Sequence, residues 1–324
     1  QLLGIERKFK LNDELYTFLL EKRAEAQIQK ASNIPDNEII DPAEIEEYPI
    51  RPQKMLNYLF AIFIGIVIPF SYLVFVDFFG NRINREEDLL EITDKSIVGL
   101  IPAVNVKNRS QIINDPKSIT GEAIRLLRNR LLIITKEINN PVILINSSMP
   151  EEGKTFLAVN LATVLCLMGK KTILLDFDLR KPDIHNKLNL NNDEGISSWL
   201  SGSVHLENLI KETTIRNLSV ITAGPIPSNP AEITLNERTN DLIKILKERY
   251  DYIIIDSSPV NKASESIQLT SIADVCILSI RSRKTLKSNV ISSLKMFEIL
   301  GFRNTYLVLN NHQELTDINS YYKR

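Results

Sequence analysis

Gly153-Lys154-Thr155 follows a short apolar run and a polar turn in VILINSSMPEEGKTF, Val142 to Phe156, and opens a helical pattern. Strand, phosphate-sized loop and helix in that order build a P-loop, whose backbone N–H groups and helix N-terminus wrap phosphate oxygens. In such a loop Lys154 reaches the β- and γ-phosphates of ATP and the Thr155 hydroxyl ligates Mg2+. Ser148, Pro150, Glu151, Glu152, Gly153 and Phe156 complete the expected nucleotide-binding loop. Ser148 stands where G-x-x-x-x-G-K-[ST] has its first glycine, so a chance Gly-Lys-Thr at a helix start is the plain alternative.

Two acidic motifs weigh against chance. Ile173-Leu-Leu175 leads into Asp176-Phe-Asp178-Leu-Arg180-Lys-Pro182. Carboxylates one residue apart at a strand end point in different directions, so one can face phosphates while the other supports metal-bound water. A polar strand exit explains a single Asp more easily than D-x-D-x-R. Tyr252-Ile-Ile-Ile-Asp256 is a second apolar run ending in a carboxylate, the Walker B arrangement that helps hold Mg2+. Thr155, Asp178 and Asp256 are the expected metal-holding residues, and Lys154, Asp176 and Asp178 the expected catalytic ones.

These side chains need strands that deliver them to one edge. Apolar runs of strand length alternate with helical patterns: Val142 to Asn146, Thr172 to Asp176, Leu218 to Thr222, Tyr252 to Asp256, Val275 to Arg281 and Thr305 to Asn310. That alternation predicts an α/β fold, a mostly parallel P-loop sheet with helices on both faces and ligands at the strand C-terminal ends. Ser118 to Lys136 reads as a helix with Ile124, Leu127, Leu131 and Ile134 at core spacing, and Ile97 to Val104 as an added edge strand.

The N-terminal third differs. Residues 1–31 read as an amphipathic or coiled-coil helix, and 31–53, with Pro35, Pro42, Pro49 and Pro52, as an extended linker. Met55 to Val76 is long and apolar enough to cross about 30 Å of hydrocarbon. An ATP site downstream puts that side in the cytosol and residues 1–53 outside. The 324 residues carry a net charge of −1, which gives no steering toward nucleic acid. Cys166 and Cys276 sit in apolar runs as reduced thiols, and His185, His205 and His312 lack ligand spacing. Starting at Gln1 in mid-helix, the sequence reads as the C-terminal fragment of a longer chain.

The motif set resembles the bacterial tyrosine kinases (BY-kinases) of the polysaccharide co-polymerase family. The agreement runs through Glu122-x-x-Arg125-x-x-Arg128, ILLDFDLRKP, Gly195-Ile-Ser-x-x-Leu-x-Gly202, AGPIPSNPAEI from Ala223 to Ile233 and IIIDSSPV from Ile253 to Val260. Upstream, IIDPA at 39–43, the proline linker and the apolar span are similar to the end of the family's periplasmic region.

The resemblance implies a tyrosine autokinase of the bacterial inner membrane, using ATP and Mg2+ to phosphorylate a neighbouring subunit. It implies Asp176 as the group that orients or deprotonates the phenol, and Asn310 near adenine. Glu122, Arg125 and Arg128 become ring-forming interface residues, and Tyr321 and Tyr322 the acceptors. Partners would be polysaccharide export and polymerisation machinery and a tyrosine phosphatase. The implied division is 1–53 periplasmic, 54–79 transmembrane, 80–116 juxtamembrane linker, 117–313 cytoplasmic kinase and 314–324 tail.

The sequence departs from the family at Glu151, where a loop glycine is usual, and at Ser258, where proline is common. A carboxylate about 5 Å from a phosphate at an effective dielectric of about 20 costs on the order of 3 kcal/mol if it points inward. Positive φ at Glu151 would add strain. A catalytically weak co-polymerase subunit and a partitioning-type ATPase are the two rival readings. The second is expected to carry an early loop lysine where Met149 stands here.

Overall fold

The computed structural model describes residues 2–32, 53–78, 80–103, 118–234 and 237–312. Two units divide the chain, 1–76 and 77–324. In the first, α1 (Leu2–Ser32) is a continuous helix whose Ile5, Phe9, Leu15, Phe18 and Ile28 are exposed. Its apolar positions therefore find no cover among the described residues. Helix α2 (Lys54–Phe78) continues through Pro69 and exposes Phe60, Ile62, Phe63 and Ile66. At 1.5 Å per residue its 25 residues reach about 37 Å, long enough to cross a bilayer. The proline-rich 33–52, with IIDPA, and the tail with Tyr321 and Tyr322 lie outside the described residues.

The second unit is built on an eight-stranded sheet. Its strands are β1 (Ile97–Pro102), β2 (Val142–Ser147), β3 (Thr172–Phe177), β4 (Lys211–Glu212), β5 (Leu218–Ile221), β6 (Tyr252–Ser257), β7 (Val275–Arg281) and β8 (Thr305–His312). Their spatial order is β1-β8-β7-β2-β6-β3-β5-β4. All neighbours pair in parallel except β4, which runs antiparallel to β5. The expected strands are thus present, and Ile97–Pro102 takes the expected edge place. Two-residue β4 has no sequence signal of its own.

Alternation along each central strand feeds two cores. On β6, Ile253 and Ile255 enter one cluster with Leu242, Val290 and Phe297, while Ile254 enters the other with Leu127, Leu157 and Leu161. Both faces are apolar because helices cover both, the condition that turns strand alternation into a continuous apolar run. Helix α4 (Ile119–Ile134) starts at Ser118, whose Oγ accepts the Gly121 N–H at 3.1 Å, a serine N-cap. Ile124, Leu127 and Leu131 are buried as their spacing predicts, and Ile134 is half-buried. Helix α5 (Lys154–Cys166) follows β2 and is buried almost all round.

The expected linker 80–116 is corrected by packing. Ile83 and Leu89 are fully buried in the core, and β1 is a full member of the sheet. A short helix, α3 (Glu86–Leu90), and the bridge Arg82–Leu286 tie this segment to the loop after β7. The folded unit therefore starts well before residue 117. These contacts join residues some 200 positions apart, which no local pattern announces.

Candidate active site

Strands β2, β6 and β3 lie side by side, so their C-terminal ends meet at one place. Asp176 and Asp256 are register partners on β3 and β6. Gly153, at φ +92°, turns the chain from loop into α5 and aims Lys154 back over that edge. Lys154 Nζ lies 2.6 Å from Asp178 Oδ2, 3.7 Å from Asp256 Oδ1 and 3.3 Å from Thr155 Oγ1. The three motifs therefore converge on one ammonium group.

Burial decides the charge states there. Burial works against a charge on Lys154, but Asp256 and Asp178 outweigh it and raise its proton affinity. Burial pushes the Asp256 carboxyl up to about 6, with Lys154 pulling the other way. Asp176 is raised well above the usual carboxylate range by burial and then by Asp256, again against Lys154. Three carboxylates around one cation leave excess negative charge, a poor arrangement on its own and a suitable one for a divalent metal.

A cavity of about 590 Å3 opens in front of this edge. Pro150, Glu151, Gly153, Lys154, Thr155, Phe156, Asp178 and Asn310 line it. Ser148, Glu152, Asp176 and Asp256 are fully buried and form no part of that wall. Asp176 sits beneath it, accepting the Asp178 and Ile184 N–H groups at 3.2 and 3.3 Å. Glu152 shapes the loop instead of meeting a nucleotide: its carboxylate takes the Met149 N–H at 3.0 Å and the Thr285 hydroxyl. Its carbonyl accepts from Ser279 Oγ and Asn310 Nδ2, both at 3.0 Å.

Glu151 takes up positive φ, +64°, but its carboxylate turns outward. Lys284 Nζ meets it at 2.5 Å, and Arg281 Nη1 donates to its carbonyl at 2.9 Å. The inward charge considered from sequence is therefore not what forms. Ser258 is equally informative: its hydroxyl donates to Asp178 Oδ1 at 2.9 Å, beside the Lys181 N–H at 3.0 Å. Asn146, buried between β2 and β6, donates to Ser257 Oγ at 2.8 Å and accepts the Val260 N–H at 3.0 Å. Arg281, Lys284, Thr285 and Asn146 all shape the site through contacts that sequence reasoning missed, since each joins residues more than 100 positions apart. On α4, Glu122 and Arg125 form an ion pair at 3.0 Å, while Arg128 donates to Val164 O at 3.4 Å.

Among the described residues no group of three or more His, Cys, Asp or Glu has metal-cage geometry. Asp256 is different from a structural carboxylate, because among the described residues neither oxygen has a hydrogen-bond donor at ordinary distance although both are buried. An acceptor left so, beside the Thr155 hydroxyl, fits a residue that would help hold Mg2+.

Comparison with known proteins extends this picture. Residues 1–76 match the family described as "G-rich domain on putative tyrosine kinase", and 142–297 match "AAA domain". A "Putative tyrosine-protein kinase in cps region" of Klebsiella pneumoniae is 29% identical over 327 residues, covering 96% of this chain and 45% of that protein. The chain thus spans about half the length of the curated relatives it matches. The crystal structure of the chimerical protein CapA2B2 superposes with a TM-score of 0.67 at 30% identity, over 71% of this chain and 100% of that one. The kinase domain of Escherichia coli tyrosine kinase ETK does so with a TM-score of 0.67 at 26% identity, over 72% and 96%.

Proposed function

The chain belongs to the bacterial tyrosine kinase (BY-kinase) family, and from that premise we propose that it is an ATP-dependent protein tyrosine autokinase of the inner membrane. The observation that carries this reading is the convergence of Asp178 and Asp256 on Lys154, which lines the cavity together with Asp178. ATP with Mg2+, when bound, supplies the transferable γ-phosphoryl group and the charge that draws its oxygens together.

The chain's own residues do the rest. Lys154 is placed to exchange its Asp178 partner for phosphate oxygens, and the Thr155 hydroxyl, Asp178 and Asp256 would hold the metal. Ser258 and the Lys181 N–H keep Asp178 in place through that exchange. A tyrosine phenol forms a bond to the γ-phosphorus, the bond to ADP breaks, and the phenol proton passes to a carboxylate. That carboxylate is assigned to Asp176, which lies beneath the cavity edge and has its proton affinity raised by burial and by Asp256. Transfer is loose and dissociative, so positioning and charge neutralisation matter more than a strong base.

Further assignments belong to the same proposal. Residues 54–79 span the membrane with 1–53 on the periplasmic side, and the folded unit beyond is cytoplasmic. Glu122, Arg125 and Arg128 join subunits into a ring, Tyr321 and Tyr322 accept phosphate in trans, and Asn310 stands near the adenine. The name of the Klebsiella relative points to capsular polysaccharide as the process regulated, with export and polymerisation machinery and a phosphatase as partners. The outward turn of Glu151 removes the reason for preferring a weak assembly subunit.

Incubation of the purified chain with γ-labelled ATP and Mg2+, followed by phosphoamino-acid analysis, tests the reading. Label on tyrosine that disappears in Lys154→Met is expected. Phosphate released to water with no labelled tyrosine would instead support the partitioning-type ATPase.

A further inference from the structure

The nucleotide site leaves one ion pair unexplained. Arg180 lines the cavity with Lys154, Thr155 and Asp178. Its Nε donates to Glu265 Oε1 at 2.6 Å and its Nη2 to Oε2 at 3.2 Å. The contact joins the exit of β3 to the helix Ser264–Gln268, 85 residues away.

The burial is lopsided, with the Glu265 side chain 0% exposed and that of Arg180 47% exposed. Removing a carboxylate wholly from water is unfavourable unless an opposite charge accompanies it. Among the described ion pairs of Glu265, Arg180 is the only cation. A bidentate contact through Nε and Nη2 also fixes the plane of the guanidinium. Nη1 stays uncommitted to Glu265, on a side chain that is about half exposed and lines the cavity. The half-exposed guanidinium keeps its unshared N–H groups open to an anion in the cavity. It is held rigid at the place where anionic chemistry occurs.

We propose that Arg180 is a catalytic residue whose remaining N–H groups meet the oxygens of the phosphoryl group in transit, and that Glu265 is the positioning residue that holds it there. The proposal rests on the kinase reading and deepens it. During transfer the bond from phenol oxygen to phosphorus forms as the bond to ADP breaks, and negative charge is spread over the three equatorial oxygens. Lys154 reaches those oxygens from the P-loop helix and Arg180 from the end of β3, so fixed positive charge stands on two sides. Donors aligned beforehand need no reorganisation at the moment of transfer, which is where their catalytic value lies.

The test uses the full chain in detergent and a fluorescent N-methylanthraniloyl ADP with Mg2+, with and without aluminium fluoride, which mimics the phosphoryl group in transit. Kinetics of tyrosine phosphorylation are followed in parallel. Arg180→Met/Glu265→Gln removes the buried charge together with its partner, which protects folding, and thermal melting checks it. In that variant ADP affinity stays within about threefold and the tightening by aluminium fluoride is lost. Its kcat falls about 10²–10³-fold with little change in KM for ATP. Glu265→Gln alone, with Arg180 present but loosely held, loses about tenfold in kcat, and Arg180→Met alone is as impaired as the double variant. Aluminium fluoride that tightens ADP equally in wild type and double variant overturns the proposal, as does a raised KM with unchanged kcat. A wild-type chain that makes no phosphotyrosine overturns the kinase reading instead, while the aluminium fluoride comparison still decides Arg180.

Discussion

Glu151 occupies a backbone position, φ +64°, that glycine fills without strain. Its carboxylate is paired with Lys284 and largely exposed to solvent. Glu151→Gly should then raise Tm by about 2–4 °C and leave ATP affinity within about threefold, measured by melting and nucleotide titration. A tenfold gain in affinity would mean that the carboxylate does oppose phosphate. Asp256 carries a second prediction. Its carboxyl is pushed up to about 6, chiefly by burial, and must shed its proton before it can help hold Mg2+. Affinity for Mg2+-ADP should therefore fall about tenfold between pH 7 and pH 5, and Asp256→Asn should flatten that dependence. Sequence alone identifies Asp256 by its strand and Lys154 by its loop. It is silent on the direction of Glu151 and on the donor role of Ser258, since both depend on partners brought up by other strands.

The helix that opens at Gly195 shows how an element is fixed by close approach. A Cβ at Gly195 would lie 2.0 Å from Thr222 O and 2.3 Å from Gly224 N. That crowding comes from backbone, because the Ile196 and Ser197 N–H groups donate to Thr222 O and Ala223 O at 2.8 and 2.9 Å. Gly195→Ala should lower Tm by about 6–12 °C, whereas Gly169→Ala, with open space around it, should cost only the strain of its positive φ. Equal losses would contradict the close-approach account. The motif Gly195-Ile-Ser-x-x-Leu-x-Gly202 is legible as a string, but its reason is a contact with the end of β5. The long elements were readable for a simpler cause: β2, β3, β6, β7 and β8 are apolar on both faces, and α4 has a cap and a stripe. Short β4 and α3 are too brief to show a stripe, although Asp88 accepts the Asn84 and Arg85 N–H groups at the start of α3, and Ile83 and Leu89 are buried in the core.

Over the whole chain, the sheet order was not legible, yet the site depends on it. Only because β6 lies between β2 and β3 do Asp178 and Asp256 both come within reach of Lys154. The proposed ring is a separate matter, because its subunit contact is assigned to α4. Loss of both cations in Arg125→Ala/Arg128→Ala should shift the detergent-solubilised protein toward monomer in sedimentation while ATP affinity holds within about threefold. An unchanged mass would place the subunit contact elsewhere.

The central claim is transfer of phosphate to tyrosine by this cavity. It is tested most directly by mixing Lys154→Met chains, as acceptors, with chains carrying Tyr321→Phe and Tyr322→Phe, as donors, in ATP and Mg2+, then mapping phosphotyrosine by mass spectrometry. The account predicts phosphate on Tyr321 or Tyr322 of the Lys154→Met chains, and none when those chains are incubated alone. ADP formation with no phosphotyrosine on either chain would contradict it.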